Sequence, residues 1–163
     1  MNAIAATNAA AAPWVLAPVR LWHVAQVWQL ERACFGVDDA YDAFTLLGLL
    51  STSGYVRLQA RAGSRMIGFV AGEIESRRDI GWIVTICVHP QCAGAGIGTR
   101  LLAEAERQLA RQVSRVNLTV RRSNHGAIRL YERCNYKWMS TFAKYYRDGE
   151  DGLVMEKQLK PPV

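Results

Sequence analysis

The chain has 163 residues, 50% of them hydrophobic and 21% charged, with a net charge of +6. This is enough for one domain around one core; the composition excludes a disordered chain, and no apolar run approaches the ~20 residues of a membrane-spanning helix. Cys34, Cys87, Cys92 and Cys134 form no C-x-x-C pair and have no histidine at ligand spacing, so the sequence argues against metal and for a reducing cytoplasm.

The alanine-rich start lacks a basic region followed by large apolar residues, so residues 1–13 read as a floppy tail rather than a signal peptide, and 14–160 as one domain. "WVLAPVR" (Trp14–Arg20) reads as a strand. Leu21–Phe35 has helical apolar spacing, and Asp38–Leu50 reads as a second helix capped by Asp38 or Asp39. Gly54–Arg61 alternates and reads as a strand; "GSR" then turns into Met66–Ser76, so the two runs form a hairpin. Asp79–Pro90 is apolar and β-branched, the pattern of a buried central strand, and Pro90 ends it. Ile97–Val113 follows as an amphipathic helix, Arg115–Val120 as a strand, and Asn124–Cys134 as a helix capped by Asn124. "YKWMSTFAKYY" and "DGLVMEKQL" close the chain as a hairpin around "RDGEDG". The order predicts an α/β fold with one mixed, mostly antiparallel sheet of about seven strands and about four helices.

Between the central strand and its helix lies "AGAGIG", with Gly94, Gly96 and Gly98. Bare amides at a helix start, with the positive end of the helix dipole, make an anion site. The P-loop is excluded because no Lys follows Gly98, and the dinucleotide fingerprint because its third glycine is missing. A plain strand-to-helix turn is the alternative.

"VHPQCAGAGIGTRLL" (Val88–Leu102) resembles motif A of the GCN5-related N-acetyltransferases, and the element order over about Trp14–Leu159 is similar to that family's. The resemblance implies that acetyl-coenzyme A is the co-substrate. Its pyrophosphate would meet the loop of Ala93, Gly94, Ala95, Gly96, Ile97, Gly98 and Thr99, and its pantetheine arm the backbone of Ile86, Cys87 and Val88. It further implies that the Val88 N–H polarises the thioester carbonyl. "NLTVRRSNHGAIRLYERCNYK" (Asn117–Lys137) resembles motif B. There Asn124 would contact the co-substrate, and Tyr131 would be the general acid for the leaving thiolate. Two helical turns separate the pair, which places both on one face. A core aromatic is the other reading of Tyr131.

"FAKYYRDGEDGLVMEKQL" (Phe142–Leu159) and "ERACF" resemble the ribosomal-protein and protein N-terminal acetyltransferases. That makes Tyr145 and Tyr146 candidate contacts to a peptide acceptor, against the alternative that they shield a sheet edge. Two features depart from the family. Ala93 stands where Gln or Arg is usual, with Arg100 or Arg129 as compensating cations. Thr119 stands where the ribosomal-protein enzymes have a Glu base. Glu73, Glu75 and His89 are substitute bases or plain surface and turn residues. An α-amine with a pKa of about 8 is partly neutral and needs less help than lysine at about 10.4.

Asp38, Asp39 and Asp42 form an acidic lip for a cationic amine or else cap a helix. Cys87 and Cys92 raise an acyl-cysteine route, for which no adjacent base is evident. The expected reaction is direct attack of a primary amine, most simply a peptide N-terminus, in a ternary complex. A small-molecule amine acceptor and a catalytically weak acyl-coenzyme A-binding regulator are the alternatives. The scattered arginines, densest at "VRRSN" (Val120–Asn124), show no aromatic-basic strip, so neither nucleic acid nor membrane is expected as partner; the chain is expected to be a monomer or homodimer.

Overall fold

A computed structural model describes residues 13–160; most of the expected tail lies outside the described residues. Seven strands form one sheet in the order β1-β2-β3-β4-β5-β7-β6. β1 is Val15–Pro18, β2 Tyr55–Ala62, β3 Arg65–Glu75, β4 Ile80–Val88, β5 Arg115–Arg121, β6 Lys137–Phe142 and β7 Gly152–Gln158. The helices are α1 (Val24–Asp39), α2 (Ala43–Ser51), α3 (Ile97–Leu109) and α4 (His125–Arg133). All strand pairs are antiparallel except β4 with β5. The mixed, mostly antiparallel sheet with four helices is as expected.

Two apolar layers sandwich the sheet. One holds Leu101, Leu102, Ala105 and Leu109 of α3 against Ile67, Val70, Val116 and Leu118. The other holds Val27 and Leu30 of α1 and Leu46 and Leu49 of α2 against Phe69, Ala71 and Cys87. Side-chain alternation along the central strands β3 and β4 feeds both layers, so these two strands are apolar on both faces. α3 approaches closely: an added Cβ at Gly68 would lie 2.8 Å from Leu101 Cδ1.

Three local expectations are corrected. The second helix is capped by Asp42, whose carboxylate accepts from Thr45 N–H at 2.8 Å, not by Asp38 or Asp39. Gly36 breaks the first helix at φ +73, where Phe35 was expected to end it, but helical turns resume and carry Asp38 and Asp39 along. Tyr145 and Tyr146 belong to no strand; they lie in the β6–β7 connection.

Candidate active site

The site begins with a register error built into β4. Ala71 pairs with Thr85 and Gly72 with Ile83, so Val84 is an extra residue, a β-bulge. At the same point β4 leaves β5: their pairing runs from Ile80↔Arg115 only to Ile83↔Leu118. β5 stays paired with β7 through Arg121. A gap therefore opens between the last residues of β4 and those of β5.

Strand alternation decides what faces the gap. His89 N–H donates to Ile67 O at 2.9 Å, so His89 and Cys87 spend their backbone groups on β3. Val84, Ile86 and Val88 must then turn theirs toward the gap. Two side chains from the α1–α2 region meet this edge. Tyr41 Oη donates to Val84 O at 3.3 Å, and Cys34 Sγ donates to Val88 O at 3.2 Å. Neither contact is visible in the sequence, because both cross more than 40 residues.

The glycine loop adjoins the end of β4. Gly94 and Gly96 have φ +80 and +74, and no atom lies within 4 Å of an added Cβ at either. Gly96 N-caps α3 without a side-chain cap, and the first turn closes from Arg100 N–H to Gly96 O. The N–H groups of Ile97, Gly98 and Thr99 therefore have no partner within the helix. Gly98 brings α3 against the gap: an added Cβ would lie 3.6 Å from both Val88 Cγ2 and Leu130 Cδ1. Ala93 and Ala95 complete the loop, with Ala93 exposed. Arg100 lies over the Trp14 ring at 5.0 Å, and Arg129 is exposed on α4.

α4 brings the next group. Asn124 accepts from Ala127 N–H at 3.1 Å, which makes it the expected cap. Asn124 is exposed whereas Tyr131 is buried, its ring 5.8 Å from that of Tyr136. Burial foremost, and then Tyr146, push the Tyr131 pKa up from 10, so the phenol keeps its proton at neutral pH.

On the α1–α2 face of the sheet, Tyr145 stacks on Phe142 at 5.6 Å and meets Tyr146 edge-on at 5.1 Å. Thr119 also turns this way, since Val116, Leu118 and Val120 fill the opposite layer. Gly152 leaves room for it: a Cβ there would lie 2.6 Å from Thr119 Cγ2. His89 accepts from Gln91 N–H and lies 3.0 Å from Arg65, so it is a turn residue; burial first, then Arg65, lower its pKa. Glu75 is ion-paired with Arg78 at 3.5 Å. Asp42 is spent on the α2 cap, as the capping alternative has it, and Asp39 on Arg121, so neither is left as a free carboxylate of an acidic lip.

Cys92 is fully buried in the α3 layer, and Cys87 is buried with its pKa raised well above the usual thiol value, first by its hydrogen bond with Cys34. Neither is activated as an acyl-cysteine nucleophile.

Glu31 was not singled out by sequence. It is 1% exposed, and its Oε1 accepts from Thr85 Oγ1 at 2.5 Å beside the bulge. Its Oε2 accepts from Tyr41 N–H at 3.5 Å, so one carboxyl joins the bulge to the segment that carries Tyr41. Burial raises its pKa above 4.5. A carboxyl raised in the folded state contributes stability below its unfolded pKa and loses it as pH rises through the folded value. Denaturant melts from pH 4 to 8 are expected to show the wild type losing stability relative to Glu31→Gln as pH rises. A parallel pair of curves would contradict this.

A cavity of about 550 Å³ lies at the other end of α3, lined by Arg20, Arg57 and Arg111 among others. It contains none of the residues at the gap.

The model of the "Acetyltransferase (GNAT) family" matches residues 24–136. An "N-alpha-acetyltransferase" of Saccharolobus solfataricus is 36% identical over 158 residues, 90% of this chain and 93% of that protein. An uncharacterised N-acetyltransferase of Methanocaldococcus jannaschii is 32% identical over 81% of this chain and 83% of its own length. The fold is similar to that of the ribosomal-protein-S18-alanine N-acetyltransferase from Escherichia coli, with a TM-score of 0.82 at 22% identity, covering 93% and 97% of the two chains. On these matches the chain belongs to the acetyltransferase (GNAT) family, in the branch of the N-terminal acetyltransferases.

Proposed function

We propose that this protein transfers the acetyl group of acetyl-coenzyme A to the α-amine of a peptide or protein N-terminus, by direct attack in a ternary complex. The observation that carries the reading is the gap between β4 and β5. It has unpartnered loop amides at one mouth and Tyr41, Tyr145 and Tyr146 on the other face. The residues fit the co-substrate: Gly94 and Gly96 leave open space where an anion must approach, and the freed edge of β4 offers backbone groups to an amide-containing arm.

Acetyl-coenzyme A supplies the activated thioester. The amides of the Gly94–Thr99 loop hold its pyrophosphate, Asn124 fixes the start of α4 beside it, and Ile86 and Val88 hold the arm. The Val88 N–H is aimed into the gap and polarises the carbonyl as a preorganised donor. Tyr131 stays protonated and delivers its proton to the departing sulfur. No carboxylate occupies position 119, so the amine enters neutral; this favours an α-amine of pKa about 8 over a lysine of about 10.4. Tyr145 and Tyr146 flank the acceptor.

Coenzyme A release is the test, with purified protein, acetyl-coenzyme A and a panel of free N-terminal peptides, N-blocked lysine peptides and polyamines. Turnover confined to free α-amines is expected. Turnover confined to polyamines would overturn the reading in favour of a small-molecule enzyme.

A further inference from the structure

Arg121 ends β5 on the acceptor face and joins three separate parts of the chain. Its Nε and Nη2 donate to Asp39 Oδ2 and Oδ1, both at 2.8 Å, a two-pronged contact to the end of α1. Its Nη1 donates to Asp148 Oδ2 at 2.8 Å and to Glu150 Oε2 at 2.7 Å, both in the β6–β7 connection. The guanidinium carbon lies 4.0 Å from the centre of the Tyr146 ring. Glu150 also accepts from Ser123 N–H at 2.7 Å, and that contact first, with Arg121 after it, holds the carboxyl down to about 2. The carboxylate partner is therefore charged at any working pH.

The two segments so joined are the walls of the proposed acceptor groove. The α1–α2 wall carries Tyr41, two residues beyond Asp39. The β6–β7 wall carries Tyr145 and Tyr146, and Tyr146 N–H donates to Glu150 O at 3.1 Å, so the ring that Arg121 covers is held by the segment it pairs with. Arg121 side-chain exposure is 20%, that of Asp39 27% and of Glu150 24%, so the junction is shielded from solvent more than an ordinary surface pair. A planar fork can meet Asp39 with two nitrogens, reach Glu150 with the third and stack on Tyr146; a lysine ammonium cannot do all three.

We propose that Arg121 is a positioning residue: it fixes the spacing of the two walls and thereby sets the affinity for the acceptor, while leaving the acetyl-coenzyme A side unaffected. The proposal rests on the acceptor groove assigned above. Its signature is a split between the two substrates. Misplacing one wall costs acceptor binding, whereas among the described residues the Arg121 side chain hydrogen-bonds only to Asp39, Asp148 and Glu150 and reaches the start of α4 only through Glu150, which accepts from Ser123 N–H.

Steady-state kinetics of Arg121→Gln, Arg121→Lys and Asp39→Asn test it, with Arg122→Gln as control, because Arg122 pairs only with Asp151 among the described carboxylates. For Arg121→Gln the acceptor KM is expected to rise about tenfold or more, with the acetyl-coenzyme A KM held within about twofold. Arg121→Lys should fall between wild type and Arg121→Gln. Parallel rises in both KM values, or an unchanged acceptor KM, would overturn the proposal. Should Arg121→Gln not fold, Asp39→Asn releases one wall only and carries the same prediction. Hydrogen exchange on the same proteins separates this proposal from the function on which it rests. Arg121→Gln should lose protection in both 38–42 and 143–151, and Arg122→Gln should not. If the wild type turns over no peptide yet this loss is seen, the acceptor assignment fails and the junction stands. If protection is unchanged, the junction fails whatever the substrate.

Discussion

Tyr131→Phe is expected to lower kcat by about 10²-fold or more while leaving acetyl-coenzyme A affinity nearly unchanged. The substitution removes one hydroxyl from a buried ring that packs on Tyr136 and contributes to the α3 layer, so the packing survives. What is lost is the proton for the leaving sulfur. Because burial raises the phenol's pKa, the wild type should show no fall in rate from Tyr131 ionisation up to about pH 10, its unperturbed value. Full activity in the Phe variant would remove Tyr131 from the mechanism and leave it a core aromatic.

Gly96→Val is expected to weaken acetyl-coenzyme A binding by about tenfold or more, through two effects of the same sign. At φ +74 an L-residue carries a left-handed backbone that costs about 1–2 kcal/mol, most for a β-branched side chain. The new side chain would also stand in the open space before the α3 amides. Thr99→Val is the contrast, since Thr99 is exposed one turn into α3 and only its backbone is invoked. Calorimetric titration with coenzyme A reads both variants. Equal weakening in the two would mean that the loop backbone is not the pyrophosphate site.

The glycine loop, the Asn124 cap and the strand–helix order were legible because each depends on neighbours in sequence: φ preferences, capping chemistry and alternation act over a few residues. The bulge at Val84 was not. It depends on how β4 is shared between β3 and β5, and a one-residue slip leaves the apolar pattern of "DIGWIVTICVHP" unchanged to the eye. The same limit hid Tyr41 and Cys34, whose partners are carbonyls on another element, and Glu31, which reads as one more polar residue on α1 until Thr85 is placed beneath it. Arg121 showed only as part of a basic cluster; its three carboxylate partners come from two segments distant in sequence, the end of α1 and the β6–β7 connection, of which the β5–β7 pairing places only the second. Asp38 and Asp39 looked like caps of the second helix because they open its apolar run, yet helical turns resume after Gly36 and carry them along with the first.

The account rests on where the acetyl group goes. Tandem mass spectrometry of one peptide that carries both a free N-terminus and an internal lysine, after incubation with the protein and acetyl-coenzyme A, reads this directly. The account predicts acetylation at the α-nitrogen with the lysine unmodified. Acetyl on the lysine Nε with the N-terminus free would contradict it.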